Sequence, residues 1–268
     1  MKQKKLKQRG SKPLSKRALE YHKKQFETPY QSTVAFCDWL ETLGCLNKET
    51  SKAVIDIGSG MGANLFFMER RFPHTAFTGI EKNPLLVSKG KAYLKKMGAS
   101  RCTLVEGDIF ALPKTYKGKY EGLTSYQTLS WFPEFKTPLK KMLDLKPNWI
   151  ALTSLFFDGR VDAQTIIRDY TSPQIGSSAS NAAKAGYGKP YSENFYNTYS
   201  IPLVREFLAT NGYKNFFSTP FEIGINLQKP KDGMGTYTKL LASGRRLQIS
   251  GPMLMNWHFI VAKRSNNE

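Results

Sequence analysis

Hydrophobic positions in the middle of the chain alternate between short continuous apolar runs and longer stretches with a period near four residues. The short runs are rich in β-branched residues and bounded by Gly, Pro or Asn, which is typical of buried strands, whereas the longer period is typical of helices with one buried face. The pattern predicts strands over 52–58, 75–81, 102–108, 120–127 and 149–157, and helices over 33–46, 62–71, 83–98 and 135–146. Strands that alternate with helices over short connections predict a doubly wound, mostly parallel α/β sheet.

The alternation stops after residue 157. Residues 158–199 are polar and rich in Ser, Gly and Tyr, and a loop of this length inside a compact domain is usually functional. We interpret this segment as a cap, inserted after the fifth strand, that covers a site. A helix over 201–213 and strands over 214–227 and 253–264 then predict that residues 200–268 complete the same sheet.

Positive charge is concentrated at the start of the chain. The formal net charge is +19, and residues 1–24 carry ten Lys or Arg against a single acid, Glu20. We predict a basic, flexible tail over 1–24, followed by an N-terminal helix and the first half of the sheet over 25–157. Such a tail binds polyanions through counterion release or serves only solubility, and both interpretations stay open.

Composition narrows the class of protein. A hydrophobic fraction of 40% is typical of a globular chain, and no apolar run reaches the ~18 residues that span a bilayer. The three cysteines are sparse and lack the spacing of metal ligands. We therefore expect a cytoplasmic protein without disulfides, bound metal or membrane span, in an oligomeric state that the sequence does not indicate.

The stretch "VIDIGSGMGAN" (54–64) reads as a strand, a glycine-rich turn and a helix start. Gly58, Gly60 and Ala63 fit the G-x-G-x-x-G/A pattern of dinucleotide-binding proteins. Asp56 and Gly62 fit a second pattern, in which an acidic residue precedes G-x-G-x-G.

Carboxylates at the ends of the first three strands separate these two patterns. Asp56, Glu81 and Asp108 should meet at one edge of a parallel sheet, where Glu81 would accept hydrogen bonds from ribose hydroxyls and Asp108 from an adenine amine. Asp56 would repel the pyrophosphate of a dinucleotide but suits the positive charge of a sulfonium.

The stretches "VIDIGSGMG", "GIEKNP" and "VEGDI" resemble, in order and spacing, the first three motifs of the class I S-adenosylmethionine-dependent methyltransferases. The resemblance implies a seven-stranded sheet with an antiparallel last strand, and S-adenosylmethionine as the cofactor, which leaves as S-adenosylhomocysteine. It also implies roles for individual residues. Glu81 would bind ribose, and Asp108 would lie near the adenine, which Lys82 and Ile109 would flank. The amino acid part would lie on Gly58, Gly60 and Gly62.

The methyl acceptor is less clearly indicated. The fourth strand runs into "SYQTLSWFPEF" (125–135), which lacks the Asn/Asp-Pro-Pro-aromatic motif of amino-methylating enzymes of this fold that act on nucleic acid bases or protein glutamine. The stretch resembles methyltransferases of small molecules. We expect Gln127 and Trp131 to line the site, with a helix-capping turn and a core tryptophan as the alternative, and Tyr30 to close over the cofactor.

No obligatory catalytic residue is expected, because methyl transfer is a displacement that depends mainly on alignment. Candidates for catalysis are His258, Gln127 and Tyr191. Other side chains of the cap that could act as a base or shape a pocket are Asp158, Asp162, Glu193, Tyr170, Tyr187, Tyr196 and Tyr199.

The sequence thus predicts a methyltransferase that acts on oxygen or nitrogen of a small metabolite, either anionic or neutral. Two alternatives stay open. One is an RNA methyltransferase that grips its substrate with the basic tail, and the other is a protein that only binds cofactor or a partner.

Overall fold

The computed structural model describes residues 16–169, 192–231 and 235–265. Its helices are α1 (Lys16–Glu27), α2 (Gln31–Thr42), α3 (Ala63–Arg71), α4 (Pro84–Lys96), α5 (Lys136–Asp144) and α6 (Ile201–Thr210). The strands before the predicted cap are β1 (Lys52–Ile57), β2 (Thr75–Glu81), β3 (Cys102–Glu106), β4 (Gly122–Tyr126) and β5 (Trp149–Phe157). The later strands are β6 (Ile166–Asp169), β7 (Ser192–Phe195), β8 (Tyr199–Ser200), β9 (Asn215–Pro220), β10 (Thr236–Leu240), β11 (Arg246–Ser250), β12 (Met253–Leu254) and β13 (Trp257–Lys263).

The main sheet has the strand order β3-β2-β1-β4-β5-β13-β9, with the short β8 paired to the end of β5. Strands β1 to β5 pair in parallel, whereas β13 runs antiparallel to both β5 and β9. This arrangement confirms the predicted doubly wound sheet and its antiparallel last strand. It also brings the carboxyl ends of β1, β2 and β4 to one edge, beyond which ligands of such sheets bind.

Helices cover both faces of the sheet, because consecutive strand residues point to opposite sides. Val54 packs on the face covered by α2, α3 and α4, together with Phe36, Leu65 and Leu94. The next residue, Ile55, packs on the other face with residues of α5 and α6, such as Leu139 and Val204. The strands are therefore apolar on both sides, which is why they read as continuous hydrophobic runs in the sequence.

Helix α1 corrects the predicted tail. Residues 16–24, assigned to a flexible segment by their charge, are helical. The helix is fixed by Phe26, which is buried and lies within 6.0 Å of the ring of Phe66 and 5.4 Å of the ring of Tyr93. Residues 1–15 lie outside the described part of the chain, so the tail prediction for them remains a prediction.

Two small sheets were not predicted. The expected sixth strand, 214–227, ends at Pro220, and the following connection contains the antiparallel sheet β10-β11-β12. Within the predicted cap, β6 and β7 pair antiparallel, and residues 170–191 between them lie outside the described residues. That 158–199 acts as a cap therefore stays a prediction.

In the described parts of the chain, no helix combines the length and the apolar character needed to cross a bilayer.

Candidate functional site

The glycine turn between β1 and α3 has an unusual backbone. Gly58, Gly60 and Gly62 all have positive φ, at +80°, +56° and +82°, a region that side chains with a Cβ rarely adopt. A Cβ at Gly58 would lie 2.3 Å from Oγ1 of Thr128, so space as well as conformation requires glycine there. The sequence therefore folds this turn close against the segment that follows β4.

Glu81, at the end of β2, organises the turn. Its Oε2 accepts a hydrogen bond from the Gly60 amide at 3.0 Å, and its Oε1 accepts one from the Asn83 amide at 2.8 Å. Asn83 in turn caps α4 through Leu85 and Leu86. The carboxylate is thus held in a fixed orientation at the carboxyl edge of the sheet, beside the glycine turn.

Asp108 and Lys82 form an ion pair at the neighbouring strand end. Nζ of Lys82 lies 2.7 Å from Oδ2 of Asp108, whose Oδ1 accepts from the Phe110 amide at 3.1 Å. Partial burial alone would raise the pKa of Asp108, but these hydrogen bonds and the positive charge of Lys82 outweigh burial and bring the pKa below its ordinary value. Asp108 is therefore ionised at neutral pH and available as an acceptor.

Asp56 differs from the expectation of a carboxylate that faces a sulfonium. Its side chain is 3% exposed, lies beneath the glycine turn and accepts a hydrogen bond from Thr124 Oγ1 at 2.7 Å. Burial raises its pKa to about 7, although the bond from Thr124 opposes this. Asp56 is held by Thr124 of β4 and is not part of the cavity wall, and neither is Gly62, which packs against Leu104.

A cavity of about 960 Å³ lies above these residues. One end is lined by residues of the predicted cofactor site: Gly58, Gly60, Glu81, Lys82, Asp108 and Ile109. The other end is mostly aromatic or uncharged, and its wall includes Tyr126, Gln127, Trp131, Phe132, Asn194, Tyr196, Thr236 and Ser250. The structure thus brings Glu81, Lys82, Asp108, Ile109, Gln127 and Tyr30 to one space, as the sequence analysis expected.

Gln127 follows β4 with a strained backbone, because its φ of +54° is uncommon for a residue with a side chain. Its amide donates to the carbonyl oxygen of Thr153 at 2.9 Å, and its own carbonyl accepts from Nε1 of Trp131 at 3.0 Å. Trp131 remains 48% exposed and its ring lies 5.1 Å from that of Tyr196. The core-tryptophan alternative is therefore wrong, and Trp131 stands on the cavity wall.

Sequence reasoning missed the contribution of α1. Tyr21, His22 and Gln25 line the cavity, and Cε1 of His22 would lie 3.2 Å from a Cβ placed on Gly60. Burial lowers the pKa of His22, so its imidazole is neutral at pH 7. The spacing of Leu19, His22 and Phe26 was the available signal, because such spacing marks one face of a helix.

The candidate catalytic residues are dispersed. His258 is buried in β13 outside the cavity wall, 3.8 Å from Asp158, and burial lowers its pKa. Asp162 accepts from the Ser200 amide, and Glu193 pairs with Arg168, so both serve the local structure. Tyr170, Tyr187 and Tyr191 lie outside the described residues.

The two remaining cap tyrosines lie at different depths. Tyr196 is on the cavity wall, whereas Tyr199 is buried and donates to the carbonyl of Phe132 at 2.6 Å. Among residues 16–169, 192–231 and 235–265, no three His, Cys, Asp or Glu side chains gather as metal ligands.

Known proteins with this fold include methyltransferases. Magnesium protoporphyrin IX methyltransferase from Synechocystis PCC 6803, solved with S-adenosylhomocysteine (SAH) bound, superposes with a TM-score of 0.52 at 15% identity, over 96% of this chain and 90% of that one. The N-terminal domain of EvdMO1, also solved with SAH, superposes with a TM-score of 0.52 at 12% identity, over 96% of this chain and 100% of that one. The YcgJ protein from Bacillus subtilis superposes with a TM-score of 0.50 at 9% identity, over 87% of this chain and 99% of that one. At these identities the likeness shows the fold alone.

The sequence itself carries a family assignment. No curated protein matches the chain. A family model described as a methyltransferase domain matches residues 48–187, just over half of the chain, and this range contains the glycine turn, Glu81 and Asp108. The resemblance drawn from the three motifs is confirmed: the chain belongs to the methyltransferase domain family.

Proposed function

We propose that this protein transfers the methyl group of S-adenosylmethionine to an oxygen or nitrogen atom of a small metabolite. One observation carries the proposal. The Glu81 carboxylate, the Gly60 turn and the ionised Asp108 lie together on the wall of one cavity, at the carboxyl edge of the parallel strands. Two of the neighbours in fold described above were solved with SAH bound.

The described residues fit this cofactor. Glu81 is held by two backbone amides and keeps acceptor capacity for ribose hydroxyls, since each carboxylate oxygen offers more than one lone pair. Asp108 can accept from the adenine amine, with buried Ile109 beside it. The glycine turn presents backbone at Gly58 and Gly60, where a Cβ would crowd Thr128 and His22.

The acceptor end of the cavity supports a small substrate. A volume of about 960 Å³ is near the upper end of the ordinary range for ligand pockets, which leaves room for a cofactor and a small acceptor together. Trp131, Tyr196 and Phe132 supply apolar surface, and Asn194, Thr236 and Ser250 supply polar groups that can orient an acceptor.

Positioning is the main catalytic task of this chain. The bound cofactor supplies an electrophilic methyl group, and the residues around it align the acceptor and exclude water. The strained Gln127 and its bond to Trp131 fix the wall at the junction of the two ends. His22 lies beside the glycine turn, where its imidazole covers Gly60 on the described cavity wall.

Titration calorimetry with S-adenosylmethionine and SAH tests the proposal. We expect micromolar binding to the wild type, and at least about a hundredfold weaker binding to Glu81→Ala, because charge-assisted hydrogen bonds to ribose are lost. Glu106→Ala is the matched control, since Glu106 pairs in register with Glu81 on β3 but is exposed and outside the cavity wall. Absence of binding to the wild type, or equal loss in both variants, would overturn the proposal.

A further inference from the structure

A second concave site lies outside the cofactor cavity. It is a groove of about 600 Å³ between the segment 109–117, which follows β3, and helix α5, and it extends to the residue after β13. Leu112, Leu143, Leu145 and Tyr213 contribute apolar surface. Ile109 and Phe110 line both this groove and the cofactor cavity, so the two spaces adjoin. We call it the basic groove.

Positive charge dominates the basic groove. Its described lining holds six cationic side chains and one carboxylate: Lys114, Lys117, Lys140, Lys141, Lys146, Arg264 and Asp144. Asp144 is paired with Lys140 at 3.2 Å. Within the described part of the chain, no ion pair involves the other four lysines, so their repulsion is uncompensated.

Hydrogen bonds hold together the backbone segments that carry the cationic side chains of the basic groove. The Gly118 amide donates to the carbonyl of Leu145 at 2.8 Å, and the Arg264 amide donates to the carbonyl of Asn148 at 2.7 Å. The buried hydroxyl of Tyr213 donates to the carbonyl of Pro147 at 2.6 Å. Three segments distant in sequence are thus tied together where their cationic side chains converge, which differs from lysines spread along one solvent-facing helix.

We propose that the basic groove binds an anion that carries two or more phosphate groups, supplied either by a single-stranded nucleic acid backbone or by a free oligophosphate. Lysines are compact charges that suit the several oxygens of phosphate, and concave surfaces concentrate their field. Phe110, 40% exposed where the groove meets the cavity, presents a ring on which a base can stack. This site is separate from methyl transfer and does not depend on the proposed function.

Fluorescence anisotropy of a labelled twelve-nucleotide oligouridylate, with sodium tripolyphosphate as competitor, tests the groove in the full chain. The test variant is Lys114→Gln/Lys117→Gln/Lys141→Gln. The control is Lys91→Gln/Lys95→Gln/Lys96→Gln on the exposed face of α4, which removes the same charge elsewhere. We expect about tenfold or greater loss of binding, with a shallower dependence on salt, in the test variant alone.

The competition arm identifies the source of the phosphates. Displacement of the oligonucleotide by micromolar tripolyphosphate supports a free oligophosphate, whereas retention at millimolar competitor supports the nucleic acid backbone. Equal loss in both variants means that overall charge drives binding, and absence of binding to the wild type means that the groove takes no phosphate; either result overturns the proposal. SAH affinity, expected to be unchanged in both variants, shows that each is folded.

Discussion

The two ends of the cavity are built differently. The cofactor end is formed by strand ends and the turns directly after them: Glu81 is the last residue of β2, and Gly58 and Asp108 follow β1 and β3 within two residues. The acceptor end is assembled from the segment after β4, from β7 and the residue that follows it, and from β10 and β11, which come from separate parts of the chain. Charge differs as well, because the described carboxylates of the wall, Glu81 and Asp108, both lie at the cofactor end.

The comparison shows that local sequence encodes one end, and tertiary packing creates the other. A residue that ends a buried parallel strand is placed by the sheet itself, whatever the rest of the chain does. The position of Tyr196 or Thr236 depends instead on how small, partly exposed sheets pack on the domain. Substitutions at the two ends should therefore separate cofactor binding from acceptor binding.

Gly58→Ala should break the cofactor end most severely. The new Cβ would clash with Thr128, and φ of +80° adds backbone strain, so we expect the free energy of unfolding to fall by about 1–3 kcal/mol and SAH binding to weaken by about a hundredfold or more. Urea denaturation and calorimetry measure the two effects. Gly98→Ala is the control, since φ there is +74° but nothing lies within 4 Å of a new Cβ. Unchanged SAH binding in Gly58→Ala would contradict the close approach.

Trp131→Ala should damage the acceptor end alone. Loss of a large ring from the wall should lower kcat/KM for the acceptor by about tenfold and leave the Kd for SAH unchanged, because the described contacts of Trp131 are with Gln127 and Tyr196 and not with Glu81 or Asp108. Phe157→Ala removes an equally exposed ring, 48%, outside the wall, and should have little effect. A parallel loss of SAH affinity in Trp131→Ala would show that the two ends are not separable.

Asp56→Asn should change how the free energy of unfolding depends on pH, because Asp56 is a buried ionisable group beside the cofactor end. Burial raises the pKa of Asp56 to about 7 in the folded protein, above the ~3.9 of an unfolded chain, so the folded state holds this proton more tightly. The free energy of unfolding of the wild type should therefore fall as pH rises from about 4 to 7, by an amount on the order of a few kcal/mol.

The Asp56→Asn side chain cannot ionise, so the free energy of unfolding of this variant should not fall over this pH range. Chemical denaturation at pH 5 and pH 8 measures it, with the exposed Asp144→Asn as a comparison. The same slope in Asp56→Asn and wild type would show that another group is responsible.

His22→Ala should have the smallest effect. The imidazole covers the glycine turn from α1 without a described hydrogen bond to it, so we expect SAH affinity to fall by a factor of about two to five. His74→Ala, in an exposed turn after α3, is the matched control. Calorimetry measures the Kd for SAH in both variants. Equal Kd values in His22→Ala and His74→Ala would mean that α1 does not contribute to the cofactor end.

The sequence predicted the sheet and the gathering of Glu81 and Asp108 at one edge because both depend on short-range patterns. Strands β1 to β5 lie within a few residues of their predicted bounds, since each is an apolar run between turn residues. Helix α1 was missed because ten cations in 1–24 suggested disorder and outweighed the spacing of Leu19, His22 and Phe26.

The residues that form the acceptor end could not be predicted from short-range sequence patterns. Strand β10 is mostly exposed and β11 is half-buried along its whole length, so neither shows the alternation of buried and exposed positions that predicts a strand. Asp56 was placed correctly on β1, but its burial under the turn depends on Thr124 of β4, a partner 68 positions away.

The connection from β9 to β13 leaves and re-enters the main sheet at neighbouring positions. Pro220 and His258 are register partners, and the Phe221 amide donates to the carbonyl of Trp257 at 2.8 Å. A segment whose two ends already meet can lengthen, shorten or be exchanged at little cost to the rest of the domain. The 221–256 segment contributes Thr236 and Ser250 to the cavity wall, so its replacement by a segment of different length is expected to alter that part of the wall and leave Glu81 and Asp108 in place.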